Sequence, residues 1–193
     1  MAARPVFLYD FYSPYAYLAA ARVDEVLPVE PEWRPIAFGV LLRETGRVPW
    51  SLREGREAEM AALEARAAER GLPELRWPPG WPAESYSLLP LRAALVAEDA
   101  GRLREFSHAA FREVFVEGRT LEDLDRVAAA GEACGLERGA IEAGIEDPEL
   151  RERLRASTAA AIERGVTGIP TVMVGDELFW GDDRLEDAAA ALA

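Results

Sequence analysis

The chain has 193 residues, of which 50% are apolar and 30% charged, enough for one sizeable core. All 22 basic residues are arginine and 35 residues are acidic, which gives a formal net charge of −13. Because no basic patch is visible, this charge argues against a nucleic-acid partner. A single cysteine, a single histidine and no lysine exclude an internal disulfide, a redox pair of cysteines, Cys-based or multi-His metal sites, and Schiff-base chemistry.

Targeting and membrane segments are not evident in the sequence. The N-terminal stretch is too short for the charged and apolar regions of a signal peptide. The longest apolar runs are alanine-rich and end well before the roughly 20 residues that a membrane span needs. We therefore expect a cytoplasmic protein that has no membrane partner.

A βαβ unit is predicted at the start of the chain. Residues 6–11 are β-branched and aromatic, as in a buried strand. Ser13 and Pro14 favour the start of a helix, which apolar residues continue through Val26. Residues 32–37 form a second short strand, and we expect a right-handed crossover between the two strands.

The middle of the chain is predicted to be helical. From residue 43 to about residue 165 the apolar residues recur at helical spacing. Thr120 and Asp147 are typical N-terminal caps of two of these helices. Residues 77–82, a stiff stretch with two tryptophans and three prolines, form a loop that no helix contains.

Strand character returns near the end of the chain. Residues 171–174 and 177–180, joined by a Gly-Asp turn, predict a β-hairpin, and residues 184–192 predict a last short helix. Two β regions so far apart in sequence indicate one sheet interrupted by an insertion.

The predicted domain organisation follows from this order of elements. Residues 1–42 and 166–193 would form one α/β domain, and residues 43–165 an inserted helical domain. The whole order is βαβ, then helices, then ββα.

Ser13 is the sharpest local candidate for chemistry. At the N-cap of the helix after the first strand, its side chain would lie among unpaired N–H groups at the positive end of the helix dipole. Such a position stabilises a thiolate, an oxyanion or a phosphate. The alternative is that Ser13 only caps the helix, since serine is among the commonest caps.

A second candidate lies in front of the hairpin. Pro170 directly precedes a predicted strand, and a cis bond between Ile169 and Pro170 would leave the backbone of Ile169 free to pair with an extended ligand. The alternative is a trans proline with a merely structural role, because most bonds that precede a proline are trans.

Together these motifs resemble a known family. Residues 11–18 (Phe-Tyr-Ser-Pro-Tyr-Ala-Tyr-Leu), residues 168–171 (Gly-Ile-Pro-Thr) and residues 175–185 resemble the 2-hydroxychromene-2-carboxylate isomerases. That family is related to the kappa-class glutathione transferases and the DsbA-like disulfide oxidoreductases. The resemblance implies a thioredoxin-like fold with a helical insertion and a homodimer.

The resemblance also implies a binding site for glutathione, or for another low-molecular-weight thiol. Ser13 would be the catalytic serine, whose hydroxyl hydrogen-bonds the sulfur and favours the thiolate. The backbone of Ile169 would pair with the cysteinyl part ahead of cis-Pro170. The γ-glutamyl end would lie at the stretch that follows the hairpin, which is Trp180, Gly181, Asp182 and Asp183.

On the substrate side the resemblance is looser. Arg43 would bind the carboxylate of a small aromatic substrate, a planar anion that arginine matches well. Arg53 and Trp81 fall near positions that contact the aromatic part. Leu52 and Asp182 stand where the best-known members have asparagine.

Other conspicuous residues favour ordinary structural roles. His108 lies off the apolar stripe of its helix, and Cys134 is expected to be a small buried filler. Asp182 and Asp183 suggest loop caps rather than a metal site, and no metal is expected. Alternating arginine and glutamate over residues 149–155 predict a solvated helix face.

The leading functional hypothesis is a glutathione-dependent isomerase that acts by reversible thiol addition. A kappa-like glutathione transferase would use the same site without elimination of the thiol. The rival from another class is a non-catalytic thioredoxin-fold protein that binds a peptide or partner. A DsbA-like redox enzyme is disfavoured, because residues 13–16 (Ser-Pro-Tyr-Ala) stand where that group carries two cysteines.

Overall fold

The computed structural model describes residues 4–82 and 86–193, which form a four-stranded sheet and ten α-helices. The strands are Val6–Tyr9 (β1), Glu32–Pro35 (β2), Thr171–Val174 (β3) and Glu177–Trp180 (β4). The helices beside the sheet are Pro14–Ala20 (α1), Val23–Val26 (α2), Phe38–Thr45 (α3) and Leu185–Ala190 (α10). The others are Arg56–Glu69 (α4), Leu88–Asp99 (α5), Leu103–Phe115 (α6), Leu124–Glu132 (α7), Arg138–Glu146 (α8) and Pro148–Glu163 (α9), with a 3₁₀ turn at Trp50–Leu52.

The sheet joins the two ends of the chain. Its strand order is β2-β1-β3-β4, with β1 parallel to β2 and antiparallel to β3. Val6 lies opposite Glu32 on one side of β1, and Leu8 lies opposite Thr171 on the other. The prediction of a single sheet interrupted by an insertion is therefore confirmed.

The strand β1 buries both of its faces. Phe7 and Tyr9 point to one face, where Phe7 meets Trp33 at a centroid distance of 5.0 Å and Tyr9 meets Phe111 of α6 at 5.8 Å. Leu8 points to the other face, into a separate cluster that also contains Ile36, Leu41, Ala161 and Met173. Because α6 belongs to the insertion, the sheet and the insertion share one aromatic core.

A buried hydrogen bond adds to this contact between sheet and insertion. The Tyr9 hydroxyl lies 2.6 Å from the Ser107 hydroxyl, which donates to the Leu103 carbonyl at 2.7 Å. Because the single hydroxyl proton of Ser107 is used in that bond, the Tyr9 hydroxyl is the donor to Ser107. Burial raises the pKa of the Tyr9 phenol well above its ordinary value, which keeps it protonated.

Two local predictions were wrong. The helix expected to run through Val26 is broken into α1 and α2, because Arg22 leaves the helical conformation, with φ of −131°. No proline or glycine marks this break. Arg22 instead forms an ion pair with Glu186 of α10, a tertiary contact that local sequence does not reveal. The predicted cap Thr120 is also wrong, since Asp123 caps α7, whereas the predicted cap Asp147 is confirmed on α9.

The helices on the described residues are short. None of those within residues 4–82 and 86–193 is long and apolar enough to cross a membrane.

The predicted domain boundary at residue 42 falls inside α3, so this helix runs from the sheet into the insertion.

Two glycines of α8 provide a matched test of the packing between α5 and α8. A methyl group at Gly144 would overlap Val96 of α5, whereas one at Gly139 would meet nothing within 4 Å. We expect Gly144→Ala to lower the free energy of unfolding by about 1–3 kcal/mol through overpacking. Gly139→Ala should leave it unchanged or raise it by up to about 1 kcal/mol. Urea unfolding of both variants measures this, and equal effects would contradict the close packing of Gly144 against Val96.

Candidate active site

A cleft of about 660 Å³ opens between the end of the sheet and the insertion. It is lined by most of the residues that the resemblance singles out, namely Ser13, Arg53, Trp81, Ile169, Trp180, Gly181, Asp182 and Asp183. Arg43 does not line it, and Pro170 is buried directly behind Ile169. Residues that are more than 150 positions apart in the chain thus meet at one place.

Ser13 is held where β1 ends and α1 begins. Its amide donates to the Asp10 carbonyl at 3.2 Å, and its Oγ accepts from the Ala16 amide at 3.2 Å. The predicted N-cap is therefore confirmed. Capping uses a lone pair of the hydroxyl, so its proton remains available to a bound acceptor in the cleft.

Asp10 is a functional candidate that the sequence analysis missed. Its carboxylate is 2% exposed and accepts from the amides of Tyr12 and Phe38 and from the Ser87 hydroxyl, at 2.8–3.2 Å. These donors belong to the turn before α1, to α3 and to the residue before α5. Burial raises the pKa of the Asp10 carboxyl, and the hydrogen bonds oppose that rise only in part. One side chain therefore joins three segments around Ser13.

The loop before β3 lines the same cleft as Ser13. The bond between Ile169 and Pro170 is cis, as the resemblance implies. Among the described residues, neither the amide nor the carbonyl of Ile169 has a hydrogen-bond partner. Gly168 lies directly against the Trp180 indole, which leaves no room there for a Cβ atom.

The two adjacent aspartates after β4 have different surroundings. Asp182 is 1% exposed and lies between Arg66 of α4, at 2.8 Å, and Arg70, at 2.6 Å. Asp183 is exposed on the cleft wall. The carboxylate of Asp182 is therefore neutralised by the insertion, and that of Asp183 remains accessible to a ligand.

An aromatic wall forms the side of the cleft that belongs to the insertion. The Trp81 indole donates to the Tyr12 carbonyl at 3.1 Å, which fixes its ring beside the turn that carries Ser13. Trp77 and Trp50 pack on it at centroid distances of 4.6 and 5.7 Å. The loop that the sequence predicts from two tryptophans and three prolines thus contributes Trp81 to an apolar wall of mutually tilted rings.

The arginines near the cleft differ from the expectation. The Arg43 side chain is 73% exposed and lies beside Glu44, at 3.4 Å. Arg47 and Arg53 line the cleft instead, and the sequence analysis missed Arg47. A sequence signal that could have identified Arg47 is Gly46, because a glycine commonly ends a helix in the left-handed conformation, as it does here at the end of α3.

Tyr15 and Glu59 form a hydrogen-bonded pair that lines the cleft and that the sequence did not predict. The Tyr15 hydroxyl donates to the Glu59 carboxylate, and the guanidinium of Arg66 lies 5.9 Å from the Tyr15 ring. Burial and the neighbouring carboxylate raise the pKa of Tyr15, so it remains a donor.

The remaining candidates lie outside the cleft. His108 is exposed and packs edge-on against Trp33 at 5.1 Å. Cys134 is half-buried and packs against the core, and burial raises the pKa of its thiol. Over the described residues, no three His, Cys, Asp or Glu side chains are grouped as a metal site.

Comparison with protein families and curated proteins gives consistent matches. Residues 6–193 match the model of the DSBA-like thioredoxin domain. A protein named 2-hydroxychromene-2-carboxylate isomerase from Sphingobium xenophagum is 29% identical over 186 residues, which cover 93% of each chain. One of the same name from Pseudomonas putida is 29% identical over 93% of this chain and 89% of its own.

Solved structures agree with these matches. A 2-hydroxychromene-2-carboxylate isomerase superposes with a TM-score of 0.85 at 26% identity, over 98% of this chain and 94% of that one. A probable DsbA oxidoreductase from Streptomyces coelicolor has a TM-score of 0.78 at 23% identity, over 98% and 88%. The resemblance and the thioredoxin-like fold expected from the sequence are confirmed.

The two aspartates after β4 provide a first test of the site. We expect Asp182→Asn to lower the free energy of unfolding by about 2–3 kcal/mol, because two partly buried guanidinium groups lose their counter-charge. Asp183→Asn is the matched control and should change it by less than about 0.5 kcal/mol. Thermal and denaturant unfolding measure both, and an equal loss in the two variants would contradict the burial of Asp182.

Asp10 should give the stability a distinct pH dependence. A carboxyl whose pKa is raised on folding stabilises the folded state at low pH, and that contribution is lost as the pH rises through the folded-state pKa. Asparagine does not titrate. The difference in unfolding free energy between the unmodified protein and Asp10→Asn should therefore fall as the pH rises above the ordinary aspartate pKa. Denaturant unfolding at a series of pH values measures this difference, and a constant difference would contradict it.

Proposed function

The chain belongs to the family of DsbA-like thioredoxin domains, and from this we propose that it is an isomerase of a 2-hydroxychromene-2-carboxylate-like compound that uses glutathione. The proposal for the reaction is supported by the two curated isomerases that match 93% of the chain, and by the solved isomerase structure. The proposal for the thiol is supported by the polar groups of Ser13 and Ile169 that line the cleft.

One observation carries the proposal for the thiol. The free proton of the Ser13 hydroxyl and the unpaired backbone of Ile169 face the same cleft. An extended thiol peptide satisfies both, because its backbone pairs with Ile169 while its sulfur accepts from Ser13. A buried backbone amide and carbonyl without partners are costly unless a ligand pairs with them.

The chemistry needs a sulfur that the cleft does not contain. Cys134 is the single cysteine and does not line the cleft. Bound glutathione would supply a thiolate that adds reversibly to a conjugated double bond, so that this bond can rotate before the thiol leaves unchanged. The part of Ser13 is to donate to the sulfur and favour its anionic form. The exposed carboxylate of Asp183 suits the glutathione ammonium.

The remaining space suits a flat aromatic acid. Trp81 and Trp50 offer a surface on which an aromatic ring packs, next to the turn that carries Ser13. Arg53 lines the same cleft and donates only to the Val48 carbonyl among the described residues, at 2.8 Å. Its other N–H groups remain available to a carboxylate. Arg53 replaces Arg43 in this role, because Arg43 does not line the cleft.

Binding of glutathione is tested by titration with intrinsic tryptophan fluorescence, since Trp180 lies on the cleft wall. We expect a saturable change. A saturable change without turnover of a chromene-type substrate would favour the non-catalytic binding protein, and formation of a stable adduct would favour a kappa-like transferase. The absence of any saturable change would contradict thiol binding.

Replacement of the serine separates its two possible roles. We expect Ser13→Ala to lower turnover of a chromene-type substrate by about 100-fold, because one donor to the developing anion is lost. Glutathione affinity should fall by less than about tenfold. The variant should regain turnover at alkaline pH, where the thiol ionises without help.

A matched control is Ser157→Ala, on α9 and outside the cleft. It should leave both turnover and affinity unchanged. Equal losses of turnover and affinity in Ser13→Ala, without recovery at alkaline pH, would mean that Ser13 is only a helix cap.

A further inference from the structure

Tyr15 and Glu59 bring a phenol and a carboxylate together on the cleft wall. Tyr15 lies in the first turn of α1 and Glu59 on α4, and the Tyr15 hydroxyl donates to the Glu59 carboxylate. Within the part of the chain that the structure describes, no residue donates to the Tyr15 oxygen, and Glu59 forms no ion pair. The phenol proton therefore has a carboxylate as its acceptor, and the phenol oxygen keeps a lone pair for a ligand.

This pair is connected to the aromatic wall of the cleft. The Tyr15 ring packs edge-on against Trp50 at a centroid distance of 6.0 Å, and Trp50 lies 5.7 Å from Trp81. These two tryptophans are the surface proposed above for the aromatic part of the substrate. Tyr15 is also only two residues from Ser13, which would hold the sulfur. The pair therefore belongs to the substrate side of the cleft.

The proposed reaction needs a proton transfer that neither Ser13 nor the thiol provides. A 2-hydroxychromene is a cyclic hemiketal, and its conjugated double bond lies within the ring. Such a bond cannot rotate, so the ring must open before thiol addition can lead to the isomer. Opening removes the proton of the hemiketal hydroxyl and delivers a proton to the ring oxygen, which becomes a phenol. A group that accepts and returns one proton would therefore accelerate this step.

The other titratable groups on the cleft wall are less suited to this transfer. Asp10 accepts three hydrogen bonds, and Asp182 is paired with two arginines of the insertion. The Tyr12 hydroxyl accepts from the Leu121 amide at 2.7 Å and, among the described residues, has no carboxylate to take its proton. Asp183 is exposed and suits the ammonium of the thiol. The phenol and carboxylate on α1 and α4 are thus the pair that can move a proton in two steps.

We propose that Tyr15 opens the ring of the substrate by relaying a proton to Glu59. This inference rests on the proposed function and adds a catalytic residue to it, while Glu59 acts through Tyr15. The hemiketal hydroxyl gives its proton to the Tyr15 oxygen as the phenol proton passes to the carboxylate. The electron pair left on the hydroxyl oxygen forms the carbonyl, the carbon–oxygen bond of the ring breaks, and its electrons stay on the ring oxygen. Return of the proton by the same route gives the substrate phenol and restores the pair, so no net proton is consumed.

The test compares two substrates in the presence of glutathione. One is the hydroxychromene carboxylate, and the other is cis-benzylidenepyruvate, which has the same conjugated keto acid but no ring hydroxyl and cannot form the cyclic hemiketal. We expect Tyr15→Phe to lower kcat for the hydroxychromene by about 100-fold, because the proton relay is lost, and to have a far smaller effect on the open analogue. Glu59→Gln should show the same difference between the substrates, and Glu59→Asp should recover part of the lost rate. Ser13→Ala should lower kcat for both.

Two matched controls lie on the same helices. Tyr17→Phe on α1 and Glu57→Gln on α4 alter residues that do not line the cleft, and both should keep full activity on both substrates. The inference is overturned if Tyr15→Phe loses activity equally on both substrates, if it keeps its activity on the hydroxychromene, or if the unmodified protein acts only on the analogue. Failure of the unmodified protein to turn over either compound would instead overturn the proposed function, and this inference with it.

Discussion

The burial of β1 is the constraint on which the rest of the structure depends. This strand is paired on both edges and packed on both faces, so its position is fixed from four directions. Its aromatic face contacts α6, which attaches the insertion to the sheet. The residues after its end, from Asp10 to Ser13, are held by this strand and by the hydrogen bonds of Asp10 and Ser13. In the proposed reaction the Ser13 hydroxyl meets a sulfur atom, and such a contact requires a fixed position.

The contacts that hold the insertion against the sheet also shape the cleft. Asp182 joins the turn after β4 to α4 through two arginines, and Asp10 joins the turn before α1 to α3 and to Ser87. Both carboxylates are buried in the cleft wall: Asp10 accepts three hydrogen bonds, and Asp182 is paired with the guanidinium groups of Arg66 and Arg70. The carboxylate of Asp183 remains exposed on the cleft wall, and Arg47 and Arg53, which also line the cleft, form no ion pair with another described residue. Because buried carboxylates are costly without such partners, these contacts are also sensitive to substitution.

Much of the fold could be predicted from the sequence, because local patterns encode it. A β-branched and aromatic run, a Ser-Pro helix start and a hairpin turn predicted β1, the cap at Ser13 and the pairing of β3 with β4. The break between α1 and α2 could not be predicted, because neither a proline nor a glycine marks it in the sequence. For the same reason the site was predicted only where residues lie in local motifs. The places of Asp10 and Arg47 in the cleft, and the ion pairs of Asp182 with Arg66 and Arg70, depend on contacts between segments that are distant along the chain.

The absence of a cysteine at the start of α1 gives the cleft its chemical character. A thioredoxin-like fold with two cysteines there can exchange electrons with a disulfide, whereas residues 13–16 of this chain offer a hydroxyl and no thiol. A hydroxyl at the end of a rigid strand can stabilise an anionic sulfur but cannot replace it. In the proposed reaction the sulfur therefore enters with a ligand, and the cleft would have to recognise the rest of that ligand to keep the sulfur at Ser13. The unpaired backbone of Ile169 and the exposed carboxylate of Asp183 are groups that line the cleft and would suit such recognition.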